Sequence, residues 1–174
     1  MRKIRYRVAI SLDGYIAGPN GEIDWIITDP EIDFGAIMNE FDTILVGRRT
    51  FEIMVRAKRT AMPGMRTVVF SRTLRQGNHP EVTVVKDREG EMLASLRAQP
   101  GKDIWLFGGA SLFRSLLGAG MVDTVEVSIM PALLGGGVPL AELDHAGLVP
   151  LGKLELKTHC VYKSGIVSLG YAVK

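Results

Sequence analysis

The chain has 174 residues, 47% hydrophobic and 23% charged, with a formal net charge of +2. That balance fits one globular domain over residues 1–174 and excludes a disordered chain. The near-neutral total provides no global field for nucleic acid, and no run approaches the roughly 18 apolar residues that cross a bilayer.

A single cysteine, Cys160, leaves no internal disulfide. The opening MRKIRYRVAIS lacks the apolar stretch of a signal peptide, so the expected location is the cytoplasm. His79, His145 and His159 are scattered without ligand spacing, so no metal site is expected.

In chain order, IRYRVAIS (4–11) reads as a first strand, apolar at alternate positions. LDGYIAGPNGEIDW (12–25) is loop chemistry, with Asp13-Gly14 and Asn20-Gly21 as turn pairs. Asp29-Pro30 reads as a helix start, Asp29 as N-cap and Pro30 at the first helical position, running to about Phe41. TILVG (43–47) is a buried strand and RRTFEIMVR (48–56) a helix. After a turn at Pro63-Gly64 come strands RTVVFS (66–71) and VTVV (82–85). DREGEMLASLRAQ (87–99) is an amphipathic helix with Met92, Leu93 and Leu96 on one face. DIWLFGG (103–109) is a strand, ASLFRSLLGAG (110–120) a helix and DTVEVSIMP (123–131) an alternating strand. A long loop (132–150) leads to a hairpin over 151–173 that turns at Lys163-Ser164-Gly165. Strand–helix repeats ending in a hairpin imply an α/β domain with a mainly parallel sheet and an antiparallel edge.

Ligands of such sheets bind outside the carboxyl ends of the strands. Three ends carry related chemistry: Gly47 with Arg48, Arg49 and Thr50; Ser71 with Arg72 and Thr73; and Gly108 and Gly109 with Ala110 and Ser111. Helix N-termini, arginine forks and hydroxyls all suit phosphate oxygens, although Gly-Gly before a helix also serves plain turn geometry. Neither GxGxxG nor the Walker pattern is present, which removes the ordinary Rossmann and P-loop sites.

The segments VAISLDGYIAGPNG, ILVGRRTFE, VVFSRTL, WLFGGASLFRSLL and VDTVEVSIMPALLGGGVPL, in this order, resemble the dihydrofolate reductase superfamily. The likeness is greatest to the reductase domain of the bifunctional riboflavin-biosynthesis deaminase/reductase, in stand-alone form. The resemblance implies a mostly parallel, eight-stranded central sheet, NADPH as cofactor and a homodimer. It implies that Ala9 and Ile16 line the nicotinamide. Gly47, Arg48, Arg49 and Thr50 match the helix start over the pyrophosphate and 2′-phosphate. Ser71 and Arg72 match the adenosine-side contacts. Gly108, Gly109, Ala110 and Ser111 match a second pyrophosphate cradle, with Leu112 and Phe113 packing beneath it.

Catalytic candidates are Asp13, Glu31 and Asp33. Asp13 either faces the substrate cleft or is the acceptor of an Asx-turn with Gly14. Dihydrofolate reductases place a carboxylate on the first helix; Glu31 is nearest that place and Asp33 next, but acids in a first turn also complement the helix dipole. Trp25 reads as a wall of the substrate cleft or as core. Met65 stands where a dihydrofolate reductase holds folate's glutamate tail with arginine, and Arg66 follows it. That loss argues against folate. The zinc deaminase signature is absent. Arg56, Lys58 and Arg59 would suit a substrate phosphate or a solvated loop. The expected partner is thus a small heterocyclic substrate, reduced with NADPH. Dihydrofolate reductase activity and a non-catalytic nucleotide-binding protein are the alternatives.

Overall fold

β-branched and aromatic runs build the centre of the computed structural model, which describes residues 1–60, 62–87, 89–141 and 152–174. The elements run β1 (Ile4–Ile10), β2 (Tyr15–Ala17), α1 (Phe34–Met38), β3 (Phe41–Gly47), α2 (Arg48–Arg56) and β4 (Arg66–Phe70). Then follow β5 (Thr83–Val85), α3 (Glu89–Ala98), β6 (Asp103–Gly108), α4 (Ala110–Gly118) and β7 (Thr124–Ile129). The chain ends with β8 (Val138–Pro139), β9 (Leu154–Val161) and β10 (Val167–Val173). The eight-stranded sheet has the order β5-β4-β3-β6-β1-β7-β10-β9, and β2 pairs with β8 separately. The first six strands of that order run parallel, and β10 runs antiparallel to both β7 and β9. The expected α/β architecture, with its antiparallel C-terminal edge, is the one observed.

The order contains a reversal. From β3 the chain moves outward through α2 to β4, whereas from β6 it moves through α4 to β7 on the opposite side. Neighbouring strands whose connections diverge leave a crevice between their carboxyl ends. Here those ends are Gly47 and Gly108.

Each sheet face buries a different set of residues. Ile4, Tyr6, Leu45, Val68, Ile104 and Leu106 pack against Leu93 and Leu96 of α3 and against Leu112, Phe113, Leu116 and Leu117 of α4. Tyr6 stacks on Phe113 with ring centroids 3.8 Å apart. Burial pushes the Tyr6 phenol pKa well above its ordinary value. On the other face Ile44, Val46 and Val69 lie with Phe51 and Met54 of α2. At the amino ends of the strands, buried Arg2 pairs with Asp42 and donates to the Thr43 hydroxyl at 2.9 Å.

The first helix differs from expectation. It spans only Phe34–Met38, and its N-cap is Asp33, whose carboxylate accepts the Ala36 N–H at 2.9 Å. Phe41 belongs to β3. Asp29 caps no helix: its Oδ1 accepts from the Glu31 N–H at 2.8 Å and its Oδ2 from the Ser164 N–H at 3.1 Å. Those bonds, Ser164 foremost, hold the Asp29 carboxyl below the usual carboxylate range. The reason is tertiary: the acid satisfies an amide of the β9–β10 turn, which local sequence does not reveal. The loops expected over 12–25 and 132–150 also contain β2 and β8; strands too short to show a period escape detection. Part of the second loop, with His145, lies outside the described residues.

Leu106 is fully buried at the centre, whereas Leu133 is 72% exposed. Leu106→Ala is expected to cost about 2–5 kcal/mol in denaturant unfolding, and Leu133→Ala less than about 0.5 kcal/mol. Equal effects would contradict this core.

Candidate functional site

The crevice between β3 and β6 is formed by backbone. Gly47 is the N-cap of α2 and Gly109 the N-cap of α4; neither helix has a side-chain cap or an acid in its first turn. A Cβ on Gly47 would stand 3.7 Å from the Gly109 nitrogen, and one on Gly109 would stand 3.1 Å from the Thr50 hydroxyl oxygen. At Gly47 a side chain would meet ordinary van der Waals contacts, whereas at Gly109 it would press on the Thr50 hydroxyl. The Gly108–Gly109 peptide is cis. Two sets of first-turn N–H groups, with two positive dipole ends, therefore open onto one crevice. Ala110, Leu112 and Phe113 bury their side chains in the core, so what they can offer a ligand is backbone. Ser111 is exposed beside them.

Side chains around the crevice divide into committed and available groups. Arg48 donates from Nε to Glu52 at 2.7 Å and from Nη1 to the Thr73 hydroxyl at 2.8 Å, which links the start of α2 to the turn after β4. Arg49 is exposed at the next position. Ser71 is buried, and its Oγ accepts the N–H groups of Thr73 at 3.3 Å and Leu74 at 3.1 Å, so it shapes that turn. Arg72 is exposed and makes no hydrogen bond or ion pair with the described residues. Arg56, Lys58 and Arg59 are exposed beyond α2.

At the end of β1, Asp13 is a tether. Its carboxylate accepts from the Ser11 hydroxyl at 2.6 Å, and from the Leu134 and Gly135 N–H groups at 3.1 and 2.7 Å. Gly14 N–H goes instead to the Ser11 carbonyl at 3.0 Å, so there is no Asx-turn with Gly14. The β1–β2 loop is thereby tied to the β7–β8 loop. The pairing of β2 with β8 extends the tie, and there any side chain on Gly137 would run into the Ala17 carbonyl. Ile16 packs from this loop against the main core. Ser11, chiefly, draws the Asp13 carboxyl down to a pKa of about 2. Trp25 is half-buried and donates its indole N–H to the Glu22 carbonyl at 3.1 Å.

The remaining acids have local partners. Glu31 is exposed, 3.4 Å from Lys163 Nζ, and Asp33 caps α1. Met65 packs into the cluster beneath α2, while Arg66 reaches toward the Thr83 hydroxyl at 3.4 Å. Thr73 belongs to the expected strand end after β4, whereas Ser11, which fixes the β1–β2 loop, and Arg7 and Glu126, an ion pair at 2.9 Å, were not among the expected site residues. The alternation in IRYRVAI carries the signal for Arg7, because it puts Arg5, Arg7 and Ala9 on one face.

With this geometry in view, comparison with known proteins is informative. The family profile described as the RibD C-terminal domain matches residues 2–168. The Bacillus subtilis uncharacterized protein YyaP is 35% identical, over 98% of this chain and 94% of its own. A crystal structure of a Shewanella sp. protein, provisionally assigned to riboflavin biosynthesis, superposes with a TM-score of 0.80 at 27% identity, covering 99% of both chains. The Enterococcus faecalis dihydrofolate reductase, solved with NADP(H), superposes with a TM-score of 0.71 at 19% identity, covering 99% of this chain and 96% of the other. That last likeness concerns the fold.

The tether has a defined pH range. The folded Asp13 pKa of about 2 lies below the ordinary aspartate value of about 3.9. Its stabilisation is therefore fully present above about pH 4 and is lost as pH falls through about 2. In an NMR acid titration, the Leu134 and Gly135 amide shifts are expected to move with a midpoint near that lower value. A midpoint at the ordinary value would mean that the carboxylate is free of the loop.

Proposed function

The chain belongs to the family of the RibD C-terminal domain, and from that premise we propose that it is an NADPH-dependent reductase of a small heterocyclic substrate, of the riboflavin-pathway type. The observation that carries the reading is the meeting of two uncapped helix N-termini at Gly47 and Gly109. Two adjacent dipole ends with bare backbone suit a diphosphate, and a dinucleotide has one at its centre.

The residues present fit such a cofactor. The N–H groups at the starts of α2 and α4 would take the diphosphate, with the Thr50 and Ser111 hydroxyls beside them. Arg72, with its donors uncommitted among the described residues, and the neighbouring Arg49 would take the 2′-phosphate that distinguishes NADPH from NADH. Ala9 and Ile16 would border the nicotinamide. When bound, the cofactor supplies a hydride from C4 of that ring. The chain's part is to hold the two reactants together and exclude water. For a phosphoribosylamino-pyrimidine in its open-chain imine form, C1′ takes the hydride and the imine nitrogen takes a proton. Asp13, Asp29, Glu31 and Asp33 are all engaged elsewhere, so none is assigned as the acid and solvent supplies that proton. Met65 and the outward reach of Arg66 disfavour folate.

We further read the protein as a cytoplasmic homodimer. The outer strand β9 exposes Leu154, Leu156 and Val161, and an apolar sheet edge of this kind is covered in stable proteins. A dimeric mass in light scattering at micromolar concentration is expected; a monomeric mass would refute the pairing.

Calorimetry with NADPH and NADH tests the cofactor reading. NADPH is expected to bind at least about tenfold more tightly, with a strong salt dependence, and Arg72→Ala to remove most of the difference. Oxidation of NADPH by added substrate separates a reductase from a non-catalytic nucleotide-binding protein. If neither dinucleotide binds, the glycines only turn the chain and the proposal fails.

A further inference from the structure

The chain between β2 and β3 crosses the sheet. β1 and β3 are parallel strands of one sheet, so their connection is a crossover, and its right-handed sense places it on the face that α2 covers. Two fixed points mark the path. Glu40, at the far end, accepts from Arg5, whose register partner Trp105 packs on the α2 side. Asp29, midway, is 4% exposed and accepts from the Ser164 N–H of the β9–β10 turn at 3.1 Å. Residues 30–39 therefore run from the β10 side of the sheet to β3, across β7, β1 and β6.

What lies between the two anchors is loosely held. No residue from 30 to 40 belongs to either hydrophobic cluster. α1 has five residues and buries none of them; Phe34 is exposed, and Ile37 and Met38 are only half-buried. A helix this short has no stability of its own, so α1 keeps its place through its ends. The exposed Glu31–Lys163 pair, at 3.4 Å, adds little to them. Beneath this path the sheet is polar. Arg7 pairs with Glu126 at 2.9 Å, and the Ser128 and Ser168 hydroxyls are 3.0 Å apart. A segment with so little buried apolar contact opens at a lower free energy than the sheet below it.

We propose that residues 30–38 are a lid that opens and closes over the polar face of β1 and β7, with Asp29 as the anchor that keeps it shut. Both oxygens of that carboxylate are occupied: Oδ1 accepts from the Glu31 N–H at 2.8 Å and Oδ2 from Ser164. The start of the lid is thereby fixed to a hairpin that is itself part of the sheet. Opening leaves Asp29 and Glu40 in place and swings α1, between them, away from Arg7 and Ser128. The device holds whatever the ligand is. Within the reductase reading, closure of such a lid excludes water from the sheet face beneath it.

Thiol labelling with a small disulfide reagent tests this. In a Cys160→Ser background, which removes the exposed native thiol, Ser128→Cys puts a reporter under the lid and Leu133→Cys one in the open. The covered thiol is expected to react at least about tenfold more slowly than the open one. Asp29→Asn keeps one acceptor but sets an N–H against the other donor. It is expected to speed labelling at Ser128→Cys at least about tenfold, the factor for one lost hydrogen bond to a charged group, and to leave Leu133→Cys unchanged. If Asp29→Asn fails to fold, hydrogen exchange in the unaltered protein decides. The Ile37 and Asn39 amides, bonded to Asp33 and Gly35, are expected to exchange on the order of a hundredfold faster than those of Tyr6 and Leu45 in the sheet. Equal labelling of the two thiols, no response to Asp29→Asn, or exchange in α1 as slow as in the sheet overturns the lid. Failure of NADPH to bind overturns the reductase reading alone and leaves these rates as expected.

Discussion

The approach of two strand ends at Gly47 and Gly109 is the constraint on which the rest of the site depends. A parallel sheet places helix starts along one rim, but most rims keep them apart. Here β3 and β6 are neighbours whose helices leave in opposite directions, so both helix starts open onto the same crevice. A side chain at Gly109 would crowd the Thr50 hydroxyl, and one at Gly47 would fill the gap between the two starts. Thr50 occupies the space above Gly109, and Leu112 the space beside Gly47. The crevice is therefore lined largely by backbone, with Arg48, Arg49 and Arg72 in the segments that border it.

A second theme is the use of carboxylates as fasteners. Asp13 ties two loops, Asp29 ties the approach to α1 to the β9–β10 turn, and Glu126 gathers Arg5 and Arg7. Each spends its acceptor capacity on fixed donors. Carboxylates held in this way are poor proton donors at neutral pH but good walls, because ionised and fully bonded groups do not reorganise when a ligand arrives. The site reads as a preorganised frame whose selectivity lies in the donors left over.

Much of this was legible in the sequence. The strands with β-branched runs and the helices with clear faces announced themselves, and the three strand ends that matter were visible as Gly47, Ser71 and Gly108. The roles within them were less visible. Arg48 is partly spent on Glu52 and Thr73, and Ser71 serves its own turn, which local patterns cannot tell. Asp29 looked like a helix cap because Asp-Pro so often is one; an amide 135 residues away claimed it instead. β2 and β8, of three and two residues, are defined by their pairing and so have no signature of their own. The polar face of β1 was written in its alternation, yet its meaning depended on knowing that α1 crosses it without burying a side chain.

The position of β1 has a consequence for how the chain reaches this state. β1 lies between β6 and β7, in register Ile4 with Ile104 and Tyr6 with Val125. Both partners follow by about a hundred residues or more, so during synthesis β1 emerges well before either strand it pairs with. Such distant pairings slow folding, since loop closure must precede any reward from contact. An interrupted chain that stops before β6 would carry β1 with two open edges and the apolar side chains of Ile4, Tyr6 and Ile10 unburied, the features that recruit other nascent chains. The strand that forms the centre of the finished sheet is therefore the part of the protein most in need of protection while it is being made.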